Sequence, residues 1–508
     1  MMNKILQEET ALKKYIIALD AGTTSVRAII YDKNLNSVGC AQKEFSQFYP
    51  KPGYVEHDAQ EIFACAYSVM TEVLLISGIS PTEIAGVGIT NQRETTVVWS
   101  RETGEPVCNA IVWQCRRTAD ICREIESQGH APYIREATGL PMDAYFSASK
   151  IKWILDNITG ARARAEAGEL LFGTIDTWLI WKLTGGFAHV TDRTNASRTM
   201  LYNINELCWD EKLTDIFGVP RTMLPTVCSS GEIYGEFDFM GSRFPICAIA
   251  GDQQSALFGS GCFSAGDAKN TYGTGCFLLM NTGEKRPYGD NGLIATVAAG
   301  VKGEAVQYAA EGSVFVGGAV VKWLRDELGF IKNSADTLDI AASVTDSGGV
   351  YVVPAFTGMG APYWSMDARG TILGLTRGSG SAHIVRAALE SIAYQSADVI
   401  SAMERDTGMK LESLKVDGGA SANDFLVQFQ ADISRLTAVR TASCEATARG
   451  AAALAGLALG FWQSREEIAA LPTNTEYFEP KMEESKREEL LRGWHRAVKA
   501  ALYWADEK

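Results

Sequence analysis

Ile246-Cys247-Ala248-Ile249-Ala250-Gly251-Asp252-Gln253-Gln254-Ser255 stands at the midpoint of a chain of 508 residues. Its first five residues are apolar and small or branched, the pattern of a buried parallel strand. Gly251 and Asp252 stop the run, and 253–258 reads as the first turn of a helix. An Asp at such a junction caps the helix, or it places a carboxylate at the ligand-binding edge of an open α/β sheet. For a lone Asp, capping is the simpler reading.

Outward from this stretch, the first half carries the same grammar. The apolar strand 15–19 runs into Asp20-Ala21-Gly22-Thr23-Thr24-Ser25, and a second strand covers 26–31. A helix is expected over 58–76, capped by Asp58, with Ile62, Phe63, Ala66, Val69 and Met70 on one face. The strand 84–90 runs into Asn91-Gln92-Arg93-Glu94, and helices dominate 116–183. In the second half a β-turn is expected within 269–277, strands over 293–298, 306–310 and 414–416, and helices over 382–405 and 423–434. The recurrent order of strand, acid, then glycine or hydroxyl turn predicts two α/β lobes of related architecture, with the Asp252 strand opening the second. The expected division is an extension 1–14, a first lobe 15–250 and a second lobe 251–508.

Composition limits the function. With 46% hydrophobic residues, the chain can build large cores. Its net charge of −14 argues against nucleic-acid partners. The 11 cysteines are scattered without a C-x-x-C pair, and the five histidines lack metal-ligand spacing, so neither a disulfide framework nor a Cys/His metal site is expected. The uncharged stretch 450–462 is too short to span a bilayer, and the polar N-terminus has no signal-peptide character. A cytoplasmic protein without membrane insertion is the expectation.

Three turns could carry chemistry: Asp20 to Ser25, Tyr272 to Gly275, and Asp417 to Ala420. Glycine lets the backbone approach a phosphate, and Ser or Thr adds donors. Each alone reads as an ordinary turn. Together, following apolar strands, they suggest a nucleotide held without a P-loop or a dinucleotide fingerprint, both of which are missing. Arg93-Glu94 alone reads as a surface pair, and Trp113 and Phe277 alone read as core.

The flanks change that weighing. Ala18-Leu19-Asp20-Ala21-Gly22-Thr23-Thr24-Ser25, Ile89-Thr90-Asn91-Gln92-Arg93-Glu94-Thr95-Thr96, Ile111-Val112-Trp113-Gln114-Cys115-Arg116-Arg117, Gly173-Thr174-Ile175-Asp176-Thr177-Trp178-Leu179, Gly251-Asp252-Gln253-Gln254 and Asn270-Thr271-Tyr272-Gly273-Thr274-Gly275-Cys276-Phe277 carry a resemblance to the FGGY family of carbohydrate kinases. Segments 145–157 and 370–390 resemble its longer signatures. The resemblance runs from about Tyr15 to Trp462. It implies a two-lobed actin-like ATPase fold, related to ribonuclease H, with ATP in the cleft, and Mg²⁺-dependent phosphorylation of glycerol at a terminal hydroxyl. By the same resemblance Asp252 is the base, and Arg93, Glu94, Tyr145, Asp252 and Gln253 bind the polyol, with Trp113 and Phe277 facing its carbons. Thr23, Thr24, Ser25, Arg27 and Thr274 would contact the phosphates. Gly318, Lys322, Gly419 and Asn423 would lie on the adenosine side, and Asp20 would hold Mg²⁺ through water. A homo-oligomer, a dimer or a tetramer, is also implied. Alternatives are a family member acting on another polyol or a ketose, and one retained for binding with little turnover.

Three departures from the family pattern stand out. Lys322 occupies a position where Gln is frequent beside the nucleotide, and Ala21 stands where Gln is frequent in the first phosphate loop. The stretch 237–244 lacks the glycine-rich, arginine-bearing loop that some relatives use to bind a sugar bisphosphate. It also lacks the histidine that others phosphorylate, so neither control is expected.

Overall fold

A computed structural model of the chain describes residues 13–288, 291–441 and 445–506. Of the expected extension 1–14, all but Lys13 and Lys14 lies outside the described residues. Two compact units are present. One comprises the chain up to Gly261 with Ala295–Tyr308 and Ala446–Pro472, and the other Cys262–Ile294, Ala309–Glu445 and the chain from Thr473.

The first unit is built on a six-stranded sheet. Its central strand, Tyr15–Ala21, lies antiparallel to Ser25–Tyr31, which pairs antiparallel with Ser37–Glu44. On its other side Tyr15–Ala21 is parallel to Ile84–Asn91, which is parallel to Ser242–Gly251. Gly231–Phe239 closes that side as an antiparallel hairpin partner. All eight residues of Ile84–Asn91 are buried, as expected of a parallel strand covered on both faces.

Asp58 caps helix Ala59–Ser77 as expected, accepting from the N–H groups of Gln60 (2.8 Å) and Glu61 (3.3 Å). Gly78, at φ 69°, ends it. By length and composition this helix could cross a bilayer. Here Ile62, Ala66, Val69 and Met70 are fully buried in the core of the unit, each contributing roughly 1.5–3 kcal/mol if its side chain is large.

The second unit repeats the topology. Ala268–Tyr272 lies antiparallel to Cys276–Gly283 and parallel to Ser413–Asp417, which is parallel to Thr437–Thr441. Thr475–Phe478 adds an antiparallel edge. The 27-residue helix Ser381–Thr407 and helix Asp424–Ser434 flank this sheet.

The duplicated architecture therefore holds, but its frame differs from the expected one. Strand Ser242–Gly251 does not open the second half. It is the third parallel strand of the first sheet, and the counterpart of the Asp20 strand is Ala268–Tyr272. An apolar run reports burial, whereas sheet membership depends on distant partners. Nor does one cut at 250/251 describe the contacts. Helix Asp252–Gly259 packs on helix Ala446–Leu459 in the first unit. That approach needs glycine: a Cβ on Gly450 would collide with the Ser255 carbonyl, and one on Gly259 with the Ala446 carbonyl.

Candidate active site

The register of the first sheet brings three strand ends together. Ala21 pairs with Asn91, and Asn91 with Gly251. The Asp20–Ser25 turn, Arg93-Glu94 and Asp252 thus leave the sheet along one edge, where open α/β sheets bind ligands.

Asp252 is the first residue of its helix and not the cap; Gly251 holds the cap position. Its Oδ1 accepts from the Gln253 N–H at 2.7 Å and lies 3.3 Å from Arg93 Nε. The capping expectation is corrected to a carboxylate steadied by the adjacent N–H and by a guanidinium. Just over a quarter of the Asp252 side chain is exposed, while Arg93 and Glu94 are buried. Arg93 lies flat across Gly251, where a Cβ would come within 2.7 Å of its Cγ and Cδ. Its Nη1 donates to Gln254 Oε1 at 3.1 Å, and Gln254 in turn donates to Thr296 Oγ1 at 2.9 Å.

Glu94 is held in the left-handed region at φ 61°. Arg198, fully buried, donates through Nε to Glu94 Oε1 at 2.6 Å. Removing one partner of such a buried pair costs about 3–5 kcal/mol.

Tyr145 and Trp113 meet edge to face, ring centroids 5.5 Å apart, and the Arg198 guanidinium lies 5.5 Å from the Tyr145 ring centroid. The segment before helix Ser147–Asn157 is fixed by the buried Lys150. Its ammonium donates to the carbonyls of Ala144, Tyr145 (2.7 Å) and Phe146 (3.2 Å). Burial pulls the Lys150 pKa down to about 8.

Behind the edge lies a buried polar layer. Gly251 N–H donates to Thr194 Oγ1 at 2.8 Å, and that hydroxyl donates to Asp192. Burial raises the Asp176 pKa to about 7, with the nearby Asp192 charge adding to the rise and the Thr174 hydroxyl opposing it.

In the first turn, Asp20 and Arg27 face each other across the hairpin, Arg27 Nη2 donating to Asp20 Oδ2 at 2.9 Å. Thr23 Oγ1 accepts from Trp113 Nε1 at 3.1 Å, Ser25 Oγ accepts from Gln42 at 3.0 Å, and Thr24 is exposed. Among the described residues no three His, Cys, Asp or Glu side chains converge on a metal position. A single, nearly buried carboxylate, paired with Arg27 and beside a hydroxyl-rich turn, suits Mg²⁺, which keeps water and phosphate oxygens as most of its ligands.

Thr274, Phe277, Gly318, Lys322, Gly419 and Asn423 belong to the second unit. Thr274 is exposed, and its carbonyl accepts from the N–H groups of Gly317 (2.8 Å) and Ala319 (3.1 Å). Gly318 N–H donates to the Gly273 carbonyl at 2.8 Å. Asp417, buried, accepts from Thr271 Oγ1 at 2.6 Å, and Gly418 at φ 87° packs on the Tyr272 backbone. Two of the three expected turns therefore meet at the strand ends of this sheet. Gly419 faces open space. Asn423 is a helix cap: its Oδ1 accepts from Leu426 N–H and its Nδ2 donates to Thr337 Oγ1 at 3.0 Å. Lys322 is exposed on helix Ala319–Asp326, and Phe277 is half-buried on its strand.

Sequence reasoning missed Arg198, Gln254, Lys150 and Thr194. Gln254 stands in the quoted Gly251-Asp252-Gln253-Gln254 segment, which was its signal; the other three had none.

Comparisons with known proteins identify the family of the chain. Residues 15–259 match the N-terminal domain of the FGGY family of carbohydrate kinases, and residues 268–459 match its C-terminal domain. A glycerol kinase of Carboxydothermus hydrogenoformans is 60% identical over 499 residues, covering 98% of this chain and 100% of that protein. One from Clostridium beijerinckii is 60% identical over 500 residues, with the same coverage. A crystal structure of Plasmodium falciparum glycerol kinase with ADP superposes with a TM-score of 0.90 at 37% identity, covering 96% of this chain and 98% of that one.

Proposed function

The chain belongs to the FGGY family of carbohydrate kinases, and from that premise we infer that it transfers the γ-phosphoryl group of ATP to glycerol, giving glycerol 3-phosphate and ADP. The fold is the two-unit α/β actin-like ATPase fold of that family.

We assign the polyol to the edge formed by Arg93, Glu94, Tyr145, Asp252 and Gln253. The observation that carries this assignment is the fixed trio of Arg93, Asp252 and Glu94, with Arg93 Nε 3.3 Å from Asp252 Oδ1 and Arg198 Nε 2.6 Å from Glu94 Oε1. Glycerol has three hydroxyls and no charge, so selectivity requires each to meet a set donor or acceptor; a hydroxyl buried without one costs about 1–3 kcal/mol. Arg93 donates, the carboxylates accept, and Trp113 and Tyr145 offer apolar surface to the carbons. A terminal hydroxyl oxygen bonds to the γ-phosphorus as the bond to the bridging oxygen of ADP breaks, and its proton passes to Asp252. The guanidinium and the Gln253 N–H hold that carboxylate in place.

Mg²⁺ supplies neutralising charge to the β- and γ-phosphate oxygens when bound. Asp20 is the residue that would hold it, through water, with Thr23, Thr24, Ser25 and Arg27 donating to phosphate oxygens. Thr274 and the Gly318 and Gly419 backbone belong to the nucleotide side in the same reading. Asn423 serves there as a cap, not through a free amide.

ADP release measured with glycerol, erythritol, xylulose and dihydroxyacetone tests the substrate. Glycerol should give the highest kcat/KM by at least about tenfold, the worth of one well-placed hydrogen bond. A higher value for xylulose would overturn the assignment, and undetectable turnover with every compound despite ATP binding would make the chain a binding protein.

A further inference from the structure

Three successive carbonyls of the first turn each accept a hydrogen bond from Gln92 or Gln47. The Gln92 backbone N–H donates to the Ala21 carbonyl at 2.8 Å, and Gln92 Nε2 donates to the Gly22 carbonyl at 3.0 Å. Gln47 Nε2 donates to the Thr23 carbonyl at 3.1 Å and to that of Phe45 at 3.4 Å. Between the two glutamines lies His57, fully buried, its Nε2 2.7 Å from Gln47 Oε1 and its Nδ1 3.4 Å from Gln92 Nε2.

The carbonyls fix the orientation of both amides, and the amides fix the histidine tautomer. Because the Gln47 nitrogen serves two carbonyls, its oxygen faces the ring, so His57 Nε2 carries the proton and donates. Gln92 Oε1 accepts from Thr95 Oγ1 at 2.8 Å, so its nitrogen faces His57 Nδ1, which accepts. Burial lowers the His57 pKa to about 4, and the ring stays neutral in this tautomer at neutral pH. Thr95 Oγ1 also accepts from the Trp113 backbone N–H at 3.3 Å, and the Trp113 indole donates to Thr23 Oγ1.

In a trans peptide unit the C=O and the following N–H point in opposite directions. Holding the Gly22 carbonyl by Gln92 and the Thr23 carbonyl by Gln47 therefore turns the Thr23 and Thr24 N–H groups away from those side chains, free to face a phosphate. We propose that Gln47, His57 and Gln92 form a positioning brace that aims the Gly22–Ser25 turn at the nucleotide phosphates. The three act through the turn, as positioning residues. The inference rests on the reading of this turn as the phosphate cradle, and it adds what preorganises that cradle.

The test uses the full-length protein with Mg-ATP and glycerol. His57→Leu and Gln47→Leu should each raise the KM for ATP about tenfold, the effect of one lost hydrogen bond at a preorganised site. Glycerol affinity measured without nucleotide should stay within about twofold. His57→Gln puts an amide N–H where Nε2 stands and should restore most of the ATP affinity, which a mere packing role would not predict. Unchanged ATP KM in both leucine variants, or a His57→Gln variant as impaired as His57→Leu, overturns the brace. Should His57→Leu fail to fold, half-buried Gln47 decides alone. Thr24→Asp separates the two ideas, because a carboxylate on the exposed turn should abolish ATP binding. Intact ATP binding in that variant overturns the cradle itself, and the brace with it.

Discussion

The two glycine and hydroxyl turns at the heads of the two sheets occupy the same topological place and are held by different means. In the first unit, the side-chain amides of Gln92 and Gln47 hold the carbonyls of Gly22 and Thr23 and the Trp113 indole holds the Thr23 hydroxyl, with one backbone bond, from the Gln92 N–H to the Ala21 carbonyl. In the second, carbonyls of Gly273 and Thr274 are held by the backbone N–H groups of Gly317, Gly318 and Ala319, with glycines packed against one another. A turn braced by side chains can be retuned by substitution at a distance. One braced by backbone tolerates change only where a Cβ fits.

This contrast fixes the order of expected effects. The largest belongs to the side-chain-built edge. Asp252→Asn should lower kcat by about 10²–10⁴-fold, since the proton acceptor is lost. Its thermal midpoint should move by only about 2 °C, because the residue is partly exposed and the helix cap is Gly251. Near-normal turnover would remove Asp252 from the reaction.

Next come the glycines of the second unit. Gly275→Ala drives a Cβ into the Val314 carbonyl, and Gly317→Ala places one 2.7 Å from Cys276 Sγ. Each should cost on the order of 2–4 kcal/mol in urea unfolding. Gly419→Ala has nothing within 4 Å and should stay within about 0.5 kcal/mol. Equal losses at all three would show that the second turn is not held by backbone packing.

The smallest effect is expected at Lys322, exposed on its helix. Lys322→Ala should leave the KM for ATP within about twofold, and a larger rise would give that ammonium a phosphate contact. Fructose bisphosphate should likewise not inhibit. Residues 237–244 form the tip of a β-hairpin, with Phe237, Phe239 and Phe244 buried and Met240-Gly241 in left-handed conformation. Strong inhibition in the kinetic assay would contradict that expectation.

Much of the architecture is legible in the chain. Asp58 and Gly78 mark the ends of a helix whose apolar spacing states its buried face. The strands ending at Ala21 and Gly251 are legible for the same reason, because burial on both faces leaves no polar alternation. The acids and the Arg93-Glu94 pair stand out only against the family pattern, for the pair taken alone has the composition of any surface salt bridge.

What could not be read concerns partners. Arg198 grips Glu94 across 104 residues, and Arg93 meets Gln254 across 161. His57, Gln47 and Gln92 have no local spacing that announces a brace, and Asn423 looks like a ligand residue until its amide is seen capping a helix.

The sequence by itself determined most of the elements, the Asp58 cap, the repeated strand-and-turn grammar and, through its motifs, the kind of chemistry. Those properties follow from neighbours along the chain. Only the tertiary structure decided that the Asp252 strand joins the first sheet, that Arg93 lies across Gly251, and that a buried histidine and two glutamines turn the first loop. Hydrogen bonds and side-chain packing depend on distances of a few ångströms between residues far apart in the chain. No periodicity or composition encodes those distances, and folding alone sets them.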